Sequence, residues 1–233
     1  MNWKQYRWMI AFGAAGAVVV VLTAMVVRRV GRAQLTGATP AERKACISRL
    51  AARRPPGAGE AIAGAAGDAD ASVRLVALIS LRQFVDEAHR PAVEAGTRDP
   101  APQVRAAAAA TLAGYDDASA ADRLAEMARD DDDPKVRQAA MEALGDCQAP
   151  KALVLLVETM DKGDDRRLRS RAADVLAEKY SIRHEGLELS DPRQWRHFVE
   201  LVKGAPGVAE AFRECSRPLE RHPEDLIPGR EDH

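Results

Sequence analysis

The strongest constraint on the fold of this 233-residue chain is a repeat of 31 or 32 residues. Four copies each contain an apolar residue, an arginine, a run of small residues and a closing leucine; they span residues 71–81, 102–112, 134–144 and 166–176. The arginines fall at steps of 31, 32 and 32 residues, and the leucines follow the same steps. Counting back 31 residues reaches Arg43 and Leu50, a degenerate fifth copy. Self-similarity at such a period is typical of stacked repeat proteins.

Each repeat has the pattern of a pair of helices. The motif stretches are rich in alanine and place apolar residues at helical spacing, as Val136, Ala140 and Leu144 do. Acidic or proline-containing stretches precede them and supply N-cap and first-turn residues. Between motif stretches, residues 118–129 and 150–160 form the clearest second helical segments. The sequence therefore predicts an all-α fold in which about five helical hairpins stack as an α-solenoid.

Residues 99–112 and 132–146 resemble the short HEAT-like repeats that are also found in phycobilisome bilin lyases. They carry that family's pattern of an acidic residue, proline, valine–arginine, alanine and leucine. The resemblance extends over residues 38–180. It implies that the array serves as a protein-binding surface, as most members of the family do. A minority of such arrays are enzymes or accessory subunits of enzymes.

The resemblance also implies a ladder, in which the repeated arginines and the acids ahead of them bridge and cap neighbouring repeats. The candidates are Arg74, Arg105, Arg137 and Arg169 with Asp68, Asp99, Asp132 and Asp164. A ligand-binding role for the arginine row is the alternative. The second helices usually line the concave side in this family, which makes five further residues candidates for partner binding: Asp122, Arg123, Glu126, Lys151 and Glu158.

The segment before the repeats has the pattern of a membrane anchor. Residues 8–27 contain no charge, and a helix of that length matches the thickness of a bilayer core. Aromatic residues lie at one end and Arg28, Arg29 and Arg32 at the other. A single transmembrane helix is therefore predicted, between a short tail at 1–7 and a basic linker at 28–37. A cleaved signal peptide and a buried core helix are the alternatives, and the charges leave the orientation open.

The C-terminal part departs from the repeat. Residues 181–203 are predicted to cap the end of the stack, because Trp195, Phe198 and Val199 fall on one side of a helix that begins at a proline. A partner-binding aromatic patch is the alternative. Residues 204–233 are predicted to be a flexible tail, with a short helix at 207–215.

The search for catalytic chemistry finds no pattern above background. The sequence contains no phosphate loop, no dinucleotide-binding glycine pattern and no nucleophile elbow. The five histidines do not occur at zinc-ligand spacing, so no metal or cofactor is predicted. The net charge is −1, and the chain after residue 32 carries 29 basic and 35 acidic residues, which argues against a nucleic-acid partner.

These observations together predict a membrane-tethered, non-catalytic scaffold or adaptor with a protein partner of unknown identity. An accessory or lyase-like enzyme of the HEAT-repeat class is one alternative, and a structural assembly factor of an envelope complex is another. Arginine outnumbers lysine by 27 to 7, a composition associated with GC-rich bacterial genomes. The expected location is therefore the cytoplasmic (inner) membrane of a bacterium, with the side that the repeats face left open.

Overall fold

The computed structural model describes residues 39–163, 165–179 and 192–215. Within these ranges the chain forms eleven α-helices and a 3₁₀ turn at Ala113–Tyr115. The helices are α1 (Pro40–Arg53), α2 (Ala58–Ala65), α3 (Ala71–Leu81), α4 (Arg90–Gly96), α5 (Pro102–Leu112), α6 (Ala118–Asp130), α7 (Pro134–Asp146), α8 (Pro150–Lys162), α9 (Arg166–Lys179), α10 (Pro192–Gly204) and α11 (Pro206–Cys215).

The helices begin where the sequence supplies a cap. The carboxylates of Asp70, Asp117 and Asp133 precede α3, α6 and α7, and each accepts a hydrogen bond from a backbone N–H in the first turn. At the start of α1, Thr39 and Glu42 form a reciprocal capping box. Each such cap contributes about 1 kcal/mol to helix stability, so the turns between repeats also determine the helix boundaries.

The array has two layers. The motif helices α1, α3, α5, α7 and α9 pack one against the next, and the second helices α2, α4, α6 and α8 each pack on the motif helix that follows. The same three positions are buried in α3, α5 and α7, as Val104, Ala108 and Leu112 are in α5. An alanine at the central position lets neighbouring helix axes approach closely, which explains the alanine-rich runs.

Helices α2 and α4, the first two helices of the second layer, meet at a glycine. A Cβ atom on Gly59 of α2 would lie 2.4 Å from Cε1 of His89, at the start of α4. The His89 ring is buried and cannot easily move, because its Nδ1 donates a hydrogen bond to the carbonyl oxygen of Phe84 at 2.9 Å. The close approach of α2 and α4 therefore requires the absence of a side chain at Gly59.

The C-terminal helices extend the second layer. Helix α11 packs against α8 and buries Val208 and Ala211, and α10 contacts both of these helices. The short helix predicted at 207–215 is thus present as Pro206–Cys215, and it packs on α8 although its range was predicted to be a flexible tail. Residues 180–191, which include most of the N-terminal half of the predicted cap, lie outside the described residues, as do residues 216–233.

The predicted fold class needs one correction. No helix within the described residues is long and apolar enough to cross a bilayer. The longest of them have 14 residues, which at 1.5 Å per residue is about 21 Å, against roughly 30 Å for a bilayer core. The predicted transmembrane helix at 8–27 lies outside the described residues, together with 1–7 and 28–37. The described fold is an all-α solenoid array without a membrane-spanning helix in those ranges.

We predict that Gly59→Ala destabilises the protein by about 1–3 kcal/mol, because the new methyl group overlaps the fixed His89 ring. Gly64→Ala, on the same helix, is the matched control, since nothing lies within 4 Å of a Cβ atom there. It is expected to stabilise the helix by about 0.5–1 kcal/mol. Urea unfolding followed by circular dichroism measures both effects, and equal effects would contradict the proposed steric role of Gly59.

Candidate interaction surface

The repeated arginines join consecutive repeats through a fixed set of contacts. Arg74 donates from Nε and Nη2 to the two carboxylate oxygens of Asp99 in the next repeat, at 2.6 and 2.8 Å. Its Nη1 donates to the backbone carbonyl of Asp68 in its own repeat, at 2.9 Å. The planar guanidinium thus binds a carboxylate in two places and a loop carbonyl in a third, which a lysine could not do.

We call such an arginine–aspartate pair between consecutive repeats a rung. The same rung recurs in the repeat before this one and in the repeat after it. Arg43 binds Asp68 through Nε and Nη2 at 2.7 and 2.8 Å, and Arg105 binds Asp131 at 2.8 Å through each nitrogen. We call these three pairs, with Arg74–Asp99, the arginine ladder. It includes Arg43, which the 31-residue step of the repeat indicates although the surrounding motif is degenerate.

Each ladder aspartate also organises its own turn. The carboxylate of Asp68, Asp99 or Asp131 accepts a hydrogen bond from the backbone N–H two residues later, at 2.8 to 3.0 Å. The hydrogen bond from the arginine is the main cause that lowers the pKa of all three carboxyl groups, and burial opposes it. The ladder therefore couples the packing between repeats to the shape of the loop that starts the next motif helix.

The predicted ladder needs a one-residue correction at its third aspartate. Asp131, whose side chain is 8% exposed, binds Arg105, while Asp132 is exposed. The spacing could have indicated this, because Asp68, Asp99 and Asp131 each lie six residues before an arginine of the repeat. The run of four aspartates at 130–133 obscured that register.

The ladder changes character after its third rung. Arg137 donates from Nη1 to the carbonyl of Asp131 at 2.8 Å, as its counterparts do in their repeats. The position six residues before Arg169 is Gly163, where the earlier repeats have aspartate, and Asp164 lies outside the described residues. The Arg169 guanidinium lies 5.6 Å from the centroid of the Trp195 ring, a cation–π contact with α10.

A second set of contacts joins the repeats at the opposite ends of the motif helices. The buried Thr111 hydroxyl donates to the carbonyl of Leu78 at 2.9 Å, and the Tyr115 hydroxyl donates to that of Asp86 at 3.1 Å. Lys179 donates to the carbonyl of Gly145 at 2.8 Å, and burial lowers its pKa. The carbonyls of Leu78 and Gly145 lie in the last turn of the preceding motif helix, and that of Asp86 lies in the loop after it, so these side chains satisfy backbone groups of the preceding repeat.

The five candidate partner-binding residues all lie on the neighbouring second helices α6 and α8. Lys151 Nζ and Asp122 Oδ2 form an ion pair at 2.6 Å between the two helices. On α6, Arg123 Nη1 pairs with Glu126 at 2.5 Å, and Glu158 of α8 is exposed. The side chains of Asp122 and Glu126 are 53% and 54% exposed. We call the surface formed by these five residues the α6–α8 face.

A polar cavity of about 250 Å³ adjoins this face. Four carboxylates and two arginines line it, together with one methionine: Glu126, Asp130, Asp131, Asp132, Arg105, Arg123 and Met127. Both arginines already pair with carboxylates, so the cavity retains an excess of negative charge. In the described part of the chain, no group of three or more histidine, cysteine or acidic side chains is arranged to hold a metal ion.

We predict that Arg105→Met destabilises the protein by about 2–3 kcal/mol, because it leaves the buried Asp131 carboxylate without its charged partner. Arg129→Met is the matched control, since Arg129 is 70% exposed and pairs with an exposed neighbour. Its effect should stay within about 0.5 kcal/mol. Thermal and urea unfolding measure both variants, and a similar loss in the two would contradict the structural role of the ladder.

The lowered pKa of the ladder carboxyls predicts acid sensitivity. A carboxyl whose pKa is lower in the folded state stabilises the protein fully above its unfolded pKa of about 3.9. That stabilisation is lost as the pH falls through the folded pKa. Asp131→Asn should therefore reduce stability at neutral pH and flatten the fall in urea midpoint below about pH 4, whereas Asp132→Asn should change neither. An unchanged acid profile in Asp131→Asn would contradict the assignment.

Comparison with known proteins agrees with the repeat geometry. Residues 90–177 match the family model for HEAT repeats. No curated protein matches the chain at a significant level. Among solved structures, the crystal structure of an engineered protein from a structural genomics consortium is similar, with 17% identity and a TM-score of 0.50, covering 81% of this chain and 96% of that one. The complex of CpcE and CpcF of phycocyanin lyase from Nostoc sp. PCC7120 shares 19% identity at a TM-score of 0.40, covering 76% and 93%. The family match over residues 90–177 agrees with the two-layer α-solenoid geometry of that range.

Proposed function

We propose that this chain is a non-catalytic scaffold or adaptor that binds a protein partner on the α6–α8 face. Helical repeat arrays present extended surfaces that are suited to binding other proteins. The observation that carries the proposal is the exposed set of charged side chains on α6 and α8, which stand on two helices whose opposite sides are buried in the core. A rigid support under exposed polar groups limits the entropy lost on binding.

The arginine ladder is the other row of charged side chains, and it is a poorer candidate for partner binding than the α6–α8 face. Its guanidinium groups are largely buried and make hydrogen bonds to carboxylates and carbonyls. Recruiting them for a ligand would break the contacts that hold consecutive repeats together. The carboxylates of Asp122, Glu126 and Glu158 can meet a partner without such a loss, because they lie outside the core.

The local charge indicates the chemistry of the partner. Residues 116–133 contain eight acidic and two basic residues, and the polar cavity beside α6 has an excess of carboxylates. Complementary charge accelerates encounter and selects among partners. The proposed partner therefore presents lysine and arginine side chains to this face.

The proposal is tested by site-specific photo-crosslinking in cells of the source organism. A photoreactive amino acid replaces Glu126 or Glu158 on the α6–α8 face, and in the matched controls it replaces Gln138 or Glu142, which are exposed on α7. We expect discrete protein adducts from the first two positions and none from the controls. Adding Asp122→Asn should lower the adduct yield from position 158, because it removes a carboxylate from the same face without altering the core.

Two results would contradict the proposal. Adducts that form only from α7 would move the binding surface to the motif layer. The lack of a reproducible adduct from all four positions, with each variant folded by circular dichroism, would contradict a scaffold role for either layer.

A further inference from the structure

The second layer is not held together in the same way along its length. Helices α6 and α8 pack directly and bury leucine and methionine side chains, among them Leu124, Met127 and Leu156. Helix α4 has only seven residues and sits close to the motif layer, because Gly96 lets Leu78 and Ala108 approach. The backbones of α4 and α6 make almost no direct contact. The boundary between α4 and α6 therefore has much less direct helix-to-helix contact than the boundary between α6 and α8.

Two arginines bridge that boundary instead. Arg123 of α6 donates to the hydroxyl and carbonyl oxygens of Thr97, just after α4, at 3.0 and 3.2 Å. Arg90 of α4 forms an ion pair with Asp117, the N-cap of α6. The Arg90 guanidinium also lies 4.4 Å from the centroid of the Tyr115 ring. Each end of α4 is thus linked to α6 by one long polar side chain.

These contacts differ physically from apolar packing. The Arg90–Asp117 ion pair, whose carboxylate side chain is 41% exposed, weakens as salt screens it, while burial of apolar surface is not screened. Beneath the boundary, the motif helices α5 and α7 pack closely, and the enclosed Arg105–Asp131 rung joins their repeats. If α4 separated from α6, the repeats on the two sides of the boundary would therefore rotate relative to each other about the α5–α7 contact.

We propose that the α4–α6 boundary is a salt-sensitive joint, at which the second layer opens and the array changes its curvature about α5 and α7. The two arginine bridges hold the joint closed at low ionic strength. Because the joint follows from the packing within the array, it does not rest on the proposed partner-binding function.

Distance measurements between spin labels test the joint. Cys215 is exposed while Cys46 and Cys147 are buried, so a Cys215→Ser background allows selective labelling. One pair of labels, at Ala95→Cys and Arg129→Cys, spans α4 and α6. The control pair, at Arg129→Cys and Glu158→Cys, spans α6 and α8. Both pairs are measured in the otherwise unsubstituted chain at low salt and at about 1 M salt, where the Debye length is about 3 Å.

We expect high salt to lengthen and broaden the distance distribution between positions 95 and 129 and to leave that between 129 and 158 unchanged. Arg123→Met should produce the same change at low salt. Lys151→Met is the matched control, since it removes an ion pair between α6 and α8 but leaves their apolar packing in place. It should move neither distribution.

An unchanged distribution between positions 95 and 129, both at high salt and in Arg123→Met, would overturn the proposal. Equal broadening of both label pairs would also overturn it, because that result indicates a general loosening and not a joint. The salt experiment needs no substitution at the bridge, so a folding defect in Arg123→Met would not prevent the test.

Discussion

The interaction on which the array depends is the bridge from an arginine in one repeat to an aspartate in the next. The guanidinium binds the carboxylate in two places and uses its remaining nitrogen on the preceding loop, so one side chain joins two motif helices and two turns. The aspartate in turn holds its own loop and the start of the following helix. Because each rung sets the position of the next repeat, small errors in one loop would be carried along the stack.

The ladder works only because the helices approach closely. Alanines at equivalent positions of the motif helices, such as Ala77, Ala108 and Ala140, are fully buried and leave little space between neighbours. Glycines serve the same purpose where α2 meets α4 and where α4 meets the motif layer. Small residues in the core and long polar side chains at its edges are therefore two parts of one arrangement, which accounts for a chain with so few aromatic residues.

Repeat periodicity made much of this structure predictable. Steps of 31 and 32 residues located the five motif helices, and the caps and prolines located their starts. The prediction was wrong by one residue at Asp132, because the run of four aspartates obscured the six-residue spacing that the other ladder aspartates share; Arg105 binds Asp131. The short helix at 207–215 was predicted but placed in a flexible tail, because its packing against α8 is not visible in a local pattern. The five partner-binding candidates are brought together on α6 and α8, while their role remains a proposal.

By itself the sequence determined the all-helical repeat, its period and the residue types that recur in each unit, because these follow from local helix propensity and spacing. Tertiary structure alone decided which carboxylate each arginine binds, since the partner lies 25 or 26 residues away in the next repeat. It also decided that α6 packs on α8 through apolar side chains but meets α4 through arginines. Those choices depend on the length and depth of α4 in the stack, which no single repeat specifies.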